Sequence, residues 1–299
     1  MRVSEQSANS TGRGTRGTLS VVATPIGNLQ DLSPRAAACL RDAGLLLAED
    51  TRHTRKLLDA CGIARQAPVE SLHEHNERAR VPGLVARLQA GEHIALVSDA
   101  GTPLMSDPGT LLVAAAAQAG VEIIAVPGPC AAIAALSIAG LPTDRFAFEG
   151  FLPAKSAARR EALTRLAHET RTLVFYEAPH RLVETLQDLA TTFGAERVAT
   201  VARELTKHFE TTYRGTLQSL AERSAGDADM TRGELVIVVA GAPPREDAAE
   251  REQEALRVLK ALLQELPVSQ AARLAAEITG ARRKDLYERA LELGKKESG

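Results

Sequence analysis

The sequence predicts an α/β protein: two α/β domains in succession, followed by a C-terminal helical extension. Three observations lead there. Short apolar runs of strand length recur as far as Ala240. In the first half each run is followed by a polar or Gly/Pro-rich turn and then by a helical segment, the alternation expected of a parallel sheet covered on both faces. After Pro243-Pro244 the strand-like runs stop and helical spacing takes over.

Residues 1–17 are polar, carry Arg13 and Arg16, and lack an apolar centre, so they read as a disordered tail and not a signal peptide. Leu19 to Ala23 is the first strand, and Thr24 to Leu29 its turn. Ser33-Pro34 supplies an N-cap and a first-turn proline for the next helix. Leu45 to Ala48 is the second strand, ending in the polar cluster Glu49-Asp50-Thr51-Arg52-His53. A helix from Thr54 to Ala60 stops at Gly62. Val69 to Leu72 is a third strand, ending in His73-Glu74-His75-Asn76, and Val81 to Gln89 the helix after it. The stretch His93 to Gly109, HIALVSDAGTPLMSDPG, opens as a strand and continues as a loop of small and turn-forming residues with Asp99 at the strand tip. Ligands of open α/β sheets bind at this edge, and small residues let them approach the backbone. Thr110 caps the helix Leu111 to Ala119. Val121 to Val126, the turn Pro127-Gly128-Pro129-Cys130 and the Ala-rich helix Ala131 to Ala139 complete a domain over residues 18–140.

Residues 141–153 hold two Pro, three Phe and one Gly without a clear period, and read as a linker. A second domain over 154–242 begins with a charged helix from Ser156 to His168. Strands are expected at Thr172 to Tyr176, Val198 to Val201, Thr211 to Tyr213 and Glu234 to Ala240, with helices at Leu182 to Phe193 and within Gly215 to Ala225. Some strand pairs lack a helix between them, so directions should mix. The extension, 243–299, should form helices near Arg251 to Glu265, Ser269 to Thr279 and Arg282 to Leu293.

Composition excludes several classes. The 299-residue chain is 44% hydrophobic, enough for a real core, and its net charge of −2 gives no overall attraction to nucleic acid, so any such binding needs a local patch. Three scattered cysteines fit neither a disulfide framework nor a zinc site and suit a reducing, cytoplasmic setting. No run reaches the ~18–20 apolar residues of a membrane span. No P-loop, GxGxxG or GxSxG pattern is present. His73 and His75 flank Glu74 without a third ligand at metal spacing, so no metal is expected. What remains suits a ligand with an adenosine and an amino acid part, held by backbone groups, and a reaction that needs alignment more than acid–base power. Methyl transfer from a sulfonium is of that kind.

The runs SVVATPIGNLQDLSPRA, AEDTRHTRKLL, VSDAGTPLMSDPG, VPGPCAAIAAL, FYEAPHRL and ARELTKHFET resemble those of the ribosomal small-subunit RNA cytidine 2′-O-methyltransferases, within the tetrapyrrole methylase superfamily. The resemblance covers Leu19 to Ala242, and the helical tail is similar to that family's helix-turn-helix extension. It implies two α/β domains of the tetrapyrrole methylase fold with S-adenosylmethionine in the cleft between them, no metal, and a homodimer. The substrate implied is a cytidine in the decoding region of small-subunit ribosomal RNA, free or in the assembled subunit. By motif, Pro25, Ile26 and Gly27 would flank the donor. Asp99, Ala100, Gly101 and Thr102 would meet its amino acid part, with Cys130 and Ala131 lining it. Tyr176, Arg203, Gly233 and Glu234 would reach the adenosine end.

Each candidate has a plainer reading. Asp99 could recognise the donor's ammonium or merely cap a turn. Asp50, Arg52, His53, Arg55 and Lys56 could face RNA phosphate and ribose, or be a solvated helix start. Glu177, His180 and Arg181 could be a site wall or a salt bridge. A 2′-hydroxyl needs a base or a cationic setting to lose its proton. Lys207, Arg203, Asp50 and His53 are the catalytic candidates, against an ion pair of Arg203 with a Glu204 neighbour. Arg282, Arg283 and Lys284 could meet RNA phosphates or belong to a helical cap. Three Tyr, six Phe and no Trp leave little for base stacking. Two rivals stand beside this reading: a precorrin-type tetrapyrrole C-methyltransferase, and a non-catalytic RNA-binding protein on the same scaffold.

Overall fold

The structure is a computed structural model that describes residues 17–243 and 247–296. Apart from Gly17, the tail expected over residues 1–17 lies outside the described residues, as does Pro244. The chain divides into two compact units, the first ending at Gly241 and the second starting at Ala242.

The first sheet of the first unit holds β1 (Thr18–Val22), β2 (Leu45–Ala48), β3 (Val69–Ser71), β4 (His93–Val97) and β5 (Glu122–Val126), in the order β3-β2-β4-β1-β5. All its pairings are parallel. β2 shows why its sequence is an unbroken apolar run. Successive side chains point to opposite faces: Leu46 and Ala48 pack with Leu40 and Leu58, while Leu45 and Leu47 pack with Leu84, Leu88 and Leu112. Both faces are buried, so no position is left for a polar residue.

The covering helices are α1 (Pro34–Asp42), α2 (Thr51–Ala60), α3 (Glu77–Gln89) and α4 (Thr110–Gln118). Ser33 caps α1 through its hydroxyl, which accepts from Ala36 N at 3.0 Å. α3 starts at Glu77, four residues before the expected Val81, and carries Pro82 inside it. That early start has a use. Buried Glu77 accepts the backbone N–H of Leu112 at 3.1 Å, capping α4, whose own N-cap, Gly109, has no side chain.

The second sheet holds β6 (Phe146–Phe151), β7 (Thr172–Glu177), β8 (Val198–Arg203), β9 (Thr211–Thr216) and β10 (Leu235–Val239), in the order β6-β7-β10-β8-β9. Only β6–β7 is parallel, so the sheet is mixed, as the missing crossover helices foretold. β6 corrects the linker reading of residues 141–153. Its register slips between Phe148 and Gly150, and Gly150 has φ +64°, so the alternation that marks a strand is broken in the sequence.

Helices α6 (Ser156–Leu166), α7 (Leu182–Phe193) and α8 (Leu217–Gly226) follow in this half, and Leu163, Leu186, Leu189, Leu217 and Leu220 pack with Phe175, Ile237 and Val239. Fully buried Arg159 links α6 to α7, with Nε 2.7 Å from Asp188 and a terminal nitrogen 3.3 Å from Glu184. The other face of the sheet is covered by α5 (Ala131–Ala139). Its Ala132, Ala135, Leu136 and Ala139 pack with Val174, Ala202, Val236 and Val238, so this helix of the first half serves the second sheet.

The second unit is helical: α9 (Asp247–Leu263), α10 (Val268–Thr279) and α11 (Arg283–Lys296). Ala255, Leu259, Ala271, Ala275, Leu286 and Ala290 form its core. α10 begins at Val268 with Pro267 as N-cap, one residue before the expected start at Ser269. Arg282, Arg283 and Lys284 are exposed where α11 begins. No helix among the described residues is long and apolar enough to cross a membrane.

Candidate functional site

The tips of β1, β4 and β5 are laced together by backbone bonds. Thr24 and Gly101 exchange N–H···O bonds of 2.9 and 3.1 Å, and the Thr102 hydroxyl donates to Pro129 O at 2.9 Å. These bonds hold the Asp99–Thr102 segment facing the second sheet's half of the chain. Between them lies a cavity of about 380 Å³. Its size falls in the usual range of small-ligand sites, roughly 300–1,000 Å³.

Nine residues expected around the donor line this cavity: Ile26, Asp99, Ala100, Gly101, Thr102, Ala131, Tyr176, Gly233 and Glu234. Four others expected there do not line it. Pro25 is buried under the β1 tip. Cys130 is the N-cap residue of α5 and packs in the cluster beneath it. Gly27 lies under the Lys207 side chain: a Cβ there would sit 2.4 Å from Lys207 Cγ. Arg203 is 8% exposed, and its guanidinium donates to the backbone oxygens of Arg232 and Phe209, each at 2.9 Å. Those two donors make Arg203 a brace between two loops, set outside the cavity lining.

The wall also contains residues that the motifs did not single out as ligands, including Met105, Asp107, Phe151 and Leu205. Asp107 was inside the loop read as ligand-binding, yet nothing in its spacing set it apart. Tyr176 stands edge-on to Phe148 and Phe151, and its hydroxyl accepts the Ala132 N–H at 3.3 Å. Burial, with Cys130 beside it, pushes that phenol up.

Four carboxylates line the cavity, Asp99, Asp107, Glu177 and Glu234, and no lysine, arginine or histidine is among its described lining residues. Glu177 is buried and engaged by Arg181 Nε at 3.2 Å and the Thr185 hydroxyl at 2.6 Å, a salt bridge inside the turn after β7. Glu234 pairs with Lys207 at 3.2 Å. Asp99 accepts Asp50 N–H at 2.9 Å on Oδ1, and its Oδ2 lies 3.0 Å from His53 Nδ1. Among the described residues no cation pairs with Asp107, and the Ser98 hydroxyl beside it donates to Ala100 O at 3.2 Å. Burial pushes Asp107 up to about 6, against the pull of the nearby Ser98 hydroxyl and with the help of the Asp99 charge. Glu49, at the β2 tip, is raised by burial and then by the charges of Asp107 and Asp99.

The catalytic candidates fall into two places. Asp50 is the N-cap of α2 and pairs with Arg52 at 2.5 Å, which holds its carboxyl far below the usual range. His53 sits in the first turn of the same helix, clasped to Asp99. Neither lines the cavity. Lys207 lies between Glu204 at 2.9 Å and Glu234 at 3.2 Å. Burial draws its ammonium down, but the bond to Glu204 and the charge of Glu234 outweigh this and raise it above the ordinary lysine value. It is therefore a fixed cation at neutral pH and a poor base.

Two loops border the cavity under backbone strain. Leu104 and Ser106, with φ of 73° and 75°, lie on one. Glu204 and Thr206, at 52° and 65°, lie on the other. Among the described residues these are the only non-glycine residues with positive φ, and such strain gathers where a site must be held in one shape. Gly233, with φ +77°, leaves the room that the Glu204 carboxylate fills: a Cβ would sit 2.4 Å from it. The Thr206 hydroxyl accepts Asn28 N–H at 3.1 Å, tying this loop to the β1 tip. Among the described residues no group of three or more His, Cys, Asp or Glu is placed to hold a metal ion.

The sequence model of the family described as Tetrapyrrole (Corrin/Porphyrin) Methylases matches residues 18–221, and that described as RsmI C-terminal HTH domain matches 249–294. The chain is 59% identical over 273 residues to the ribosomal RNA small subunit methyltransferase I of Xylella fastidiosa (strain Temecula1), covering 91% of this chain and 98% of that protein. It is 55% identical over 276 residues to the protein of that name from Pseudomonas aeruginosa, covering 92% and 97%. Among solved structures it is similar to a cobalamin biosynthetic enzyme, cobalt precorrin-4 methyltransferase. The TM-score is 0.56 at 18% identity, over 78% of this chain and 98% of that one, and this likeness bears on the fold alone.

Proposed function

The chain belongs to the tetrapyrrole methylase family, and from that premise we propose that it transfers the methyl group of S-adenosylmethionine to the ribose 2′-oxygen of a cytidine in the decoding region of small-subunit ribosomal RNA. The observation that carries the reading is the charge of the cavity. Glu177 and Glu234 are matched by Arg181 and Lys207 from outside the lining, and the remaining Asp99 and Asp107 disfavour a phosphorylated ligand and favour one with net positive charge. S-adenosylmethionine fits, since its sulfonium and ammonium outweigh one carboxylate. The names of the relatives support ribosomal RNA as the acceptor.

In this reading Ile26, Ala131 and the Asp99–Thr102 segment hold the donor from one side, and Tyr176, Gly233 and Glu234 from the other. Pro25, Gly27 and Cys130 support that wall from behind. Bound there, the donor would supply an electrophilic methyl and a neutral thioether leaving group. Lys207, kept charged by Glu204 and Glu234, is the cation that eases proton loss from the incoming hydroxyl. His53 and Arg52, 59% and 81% exposed on α2, face RNA sugar and phosphate. Arg282, Arg283 and Lys284 add phosphate contacts from the helical unit. The proposal includes a cytoplasmic homodimer. Ile124 and Phe146, exposed on the edge strands β5 and β6, give it apolar surface to pair through.

The test is incubation of unmodified small subunits, and of their free RNA, with methyl-labelled donor, followed by nuclease digestion and mass spectrometry. Label is expected in 2′-O-methylcytidine. Label on a base carbon, or in a precorrin and not in RNA, overturns the proposal.

A further inference from the structure

We infer that Asp107 supplies the anionic hydrogen-bond partner of the donor's ammonium group, and that Asp99, the carboxylate its motif puts in that role, instead fixes the loop that carries Asp107. The inference rests on the S-adenosylmethionine reading and sharpens it.

Of the four carboxylates in the cavity wall, three are held by partners in the protein. Glu177 has Arg181 and Thr185, Glu234 has Lys207, and Asp99 has Asp50 N–H and His53. Asp107 has no ion pair among the described residues, and the hydroxyl nearest it, Ser98, donates to Ala100 O, which leaves its acceptor capacity unused in the wall of a cavity that offers it no cation. An ammonium carries three N–H donors and no acceptor, and matches such a group directly. The backbone is built to keep Asp107 there. Ser106, next to it, is held at φ 75°, and buried Glu77 caps the helix three residues further on.

The groups that face Asp107 are Glu49 from the tip of β2, Ser98 and Asp99 from its own loop, and Tyr176 from β7. Asp50, the N-cap of α2, and His53 in its first turn act electrostatically on Glu49. All the nearest titratable groups are acids, so a bound ammonium would relieve repulsion among them. Below about pH 6 Asp107 takes a proton, and donor binding must then expel that proton to the buffer. Affinity should fall as pH drops through this range.

Calorimetry on the full chain tests this with three probes: S-adenosylmethionine, S-adenosylhomocysteine, which keeps the ammonium but lacks the sulfonium, and methylthioadenosine, which has neither. At about pH 7.5, Asp107→Asn is expected to weaken the first two about tenfold or more and leave methylthioadenosine unchanged. Unchanged methylthioadenosine affinity also reports that the variant is folded. Below about pH 6, S-adenosylhomocysteine affinity should fall in the wild type and in Asp99→Asn but stay flat in Asp107→Asn. Equal affinity of wild type and Asp107→Asn for both amino-acid-bearing probes, or a pH dependence that survives in that variant, overturns the inference. Weakening of S-adenosylmethionine alone would place Asp107 at the sulfonium and overturn it too. If the wild type binds none of the probes, the donor reading itself fails, a result distinct from all of these.

Discussion

Asp99 and His53 form a clasp between the β4 loop and helix α2, with Oδ2 and Nδ1 3.0 Å apart. The other oxygen of Asp99 takes the N–H of Asp50, the N-cap of that helix. Asp99→Ala should therefore hand the exposed Asp50 N–H to water and cost about 0.5–1.5 kcal/mol of stability in urea unfolding. His53→Ala, which keeps the Asp50 bond, should cost less than half as much. Equal losses would show that the clasp, and not the cap, carries the energy.

Lys207 should act as a charge and not as a proton acceptor. Lys207→Gln is expected to leave donor affinity within about twofold and lower the methylation rate about 10²–10³-fold. Its pKa lies above the ordinary lysine value, so it stays protonated across neutral and mildly alkaline pH. The wild-type rate should accordingly show no titration of Lys207 between about pH 7 and 9. An inflection there that disappears in Lys207→Gln would make Lys207 a base after all.

Gly27→Ala tests how the lysine is seated. The new methyl would meet the Lys207 stem, a flexible neighbour that can move aside. The protein should fold and bind donor, but its turnover should fall towards that of Lys207→Gln. Wild-type turnover would mean that the lysine need not lie across Gly27.

The unliganded protein should be less stable at neutral pH because of Asp107. Its folded pKa, about 6, lies above the value of 3.8 taken for a free aspartate. The folded state thus binds more protons between these values, and the group's contribution to stability, full below about 3.8, is lost as pH rises through about 6. Asp107→Asn should raise the melting temperature at about pH 7.5 and change it little at about pH 4. An equal shift at both pH values would trace the effect to packing.

Arg159 is fully buried, and Asp188 is its nearest anion. Asp188→Ala should cost up to about 3–5 kcal/mol in urea unfolding, because it leaves a buried cation with only the more distant and largely exposed Glu184. Arg159→Met combined with Asp188→Leu should recover most of that loss. A double variant as unstable as the single one would mean that this pair does more than neutralise itself.

The buried strands were legible where both faces are covered. Leu45 to Ala48 and Glu234 to Ala240 are apolar runs that could not be loops, and both became strands. β6 was not legible, because the slip at Phe148 and Gly150 destroys the period on which such a reading depends. The loops around the cavity could be read as ligand-facing from their small residues and their position after strands. Which of their acids is free could not. Asp99 and Asp107 sit on one loop, and only the approach of α2 from elsewhere in the chain occupies the first and spares the second. Arg203 illustrates the same point: its partners, Arg232 O and Phe209 O, come from two loops that sequence spacing does not bring together.

Helix α5 ends just before Gly140, the expected end of the first domain, yet it buries its small-residue face on β7, β8 and β10. A chain cut after Gly140 would leave one fragment with a helix that has lost its sheet and the other with a sheet that has lost its helix. Made separately, the fragments 18–140 and 141–241 should aggregate or stay partly unfolded; made together, they should reassociate and recover donor binding. Insertions and gene fusions at this junction should be poorly tolerated for the same reason.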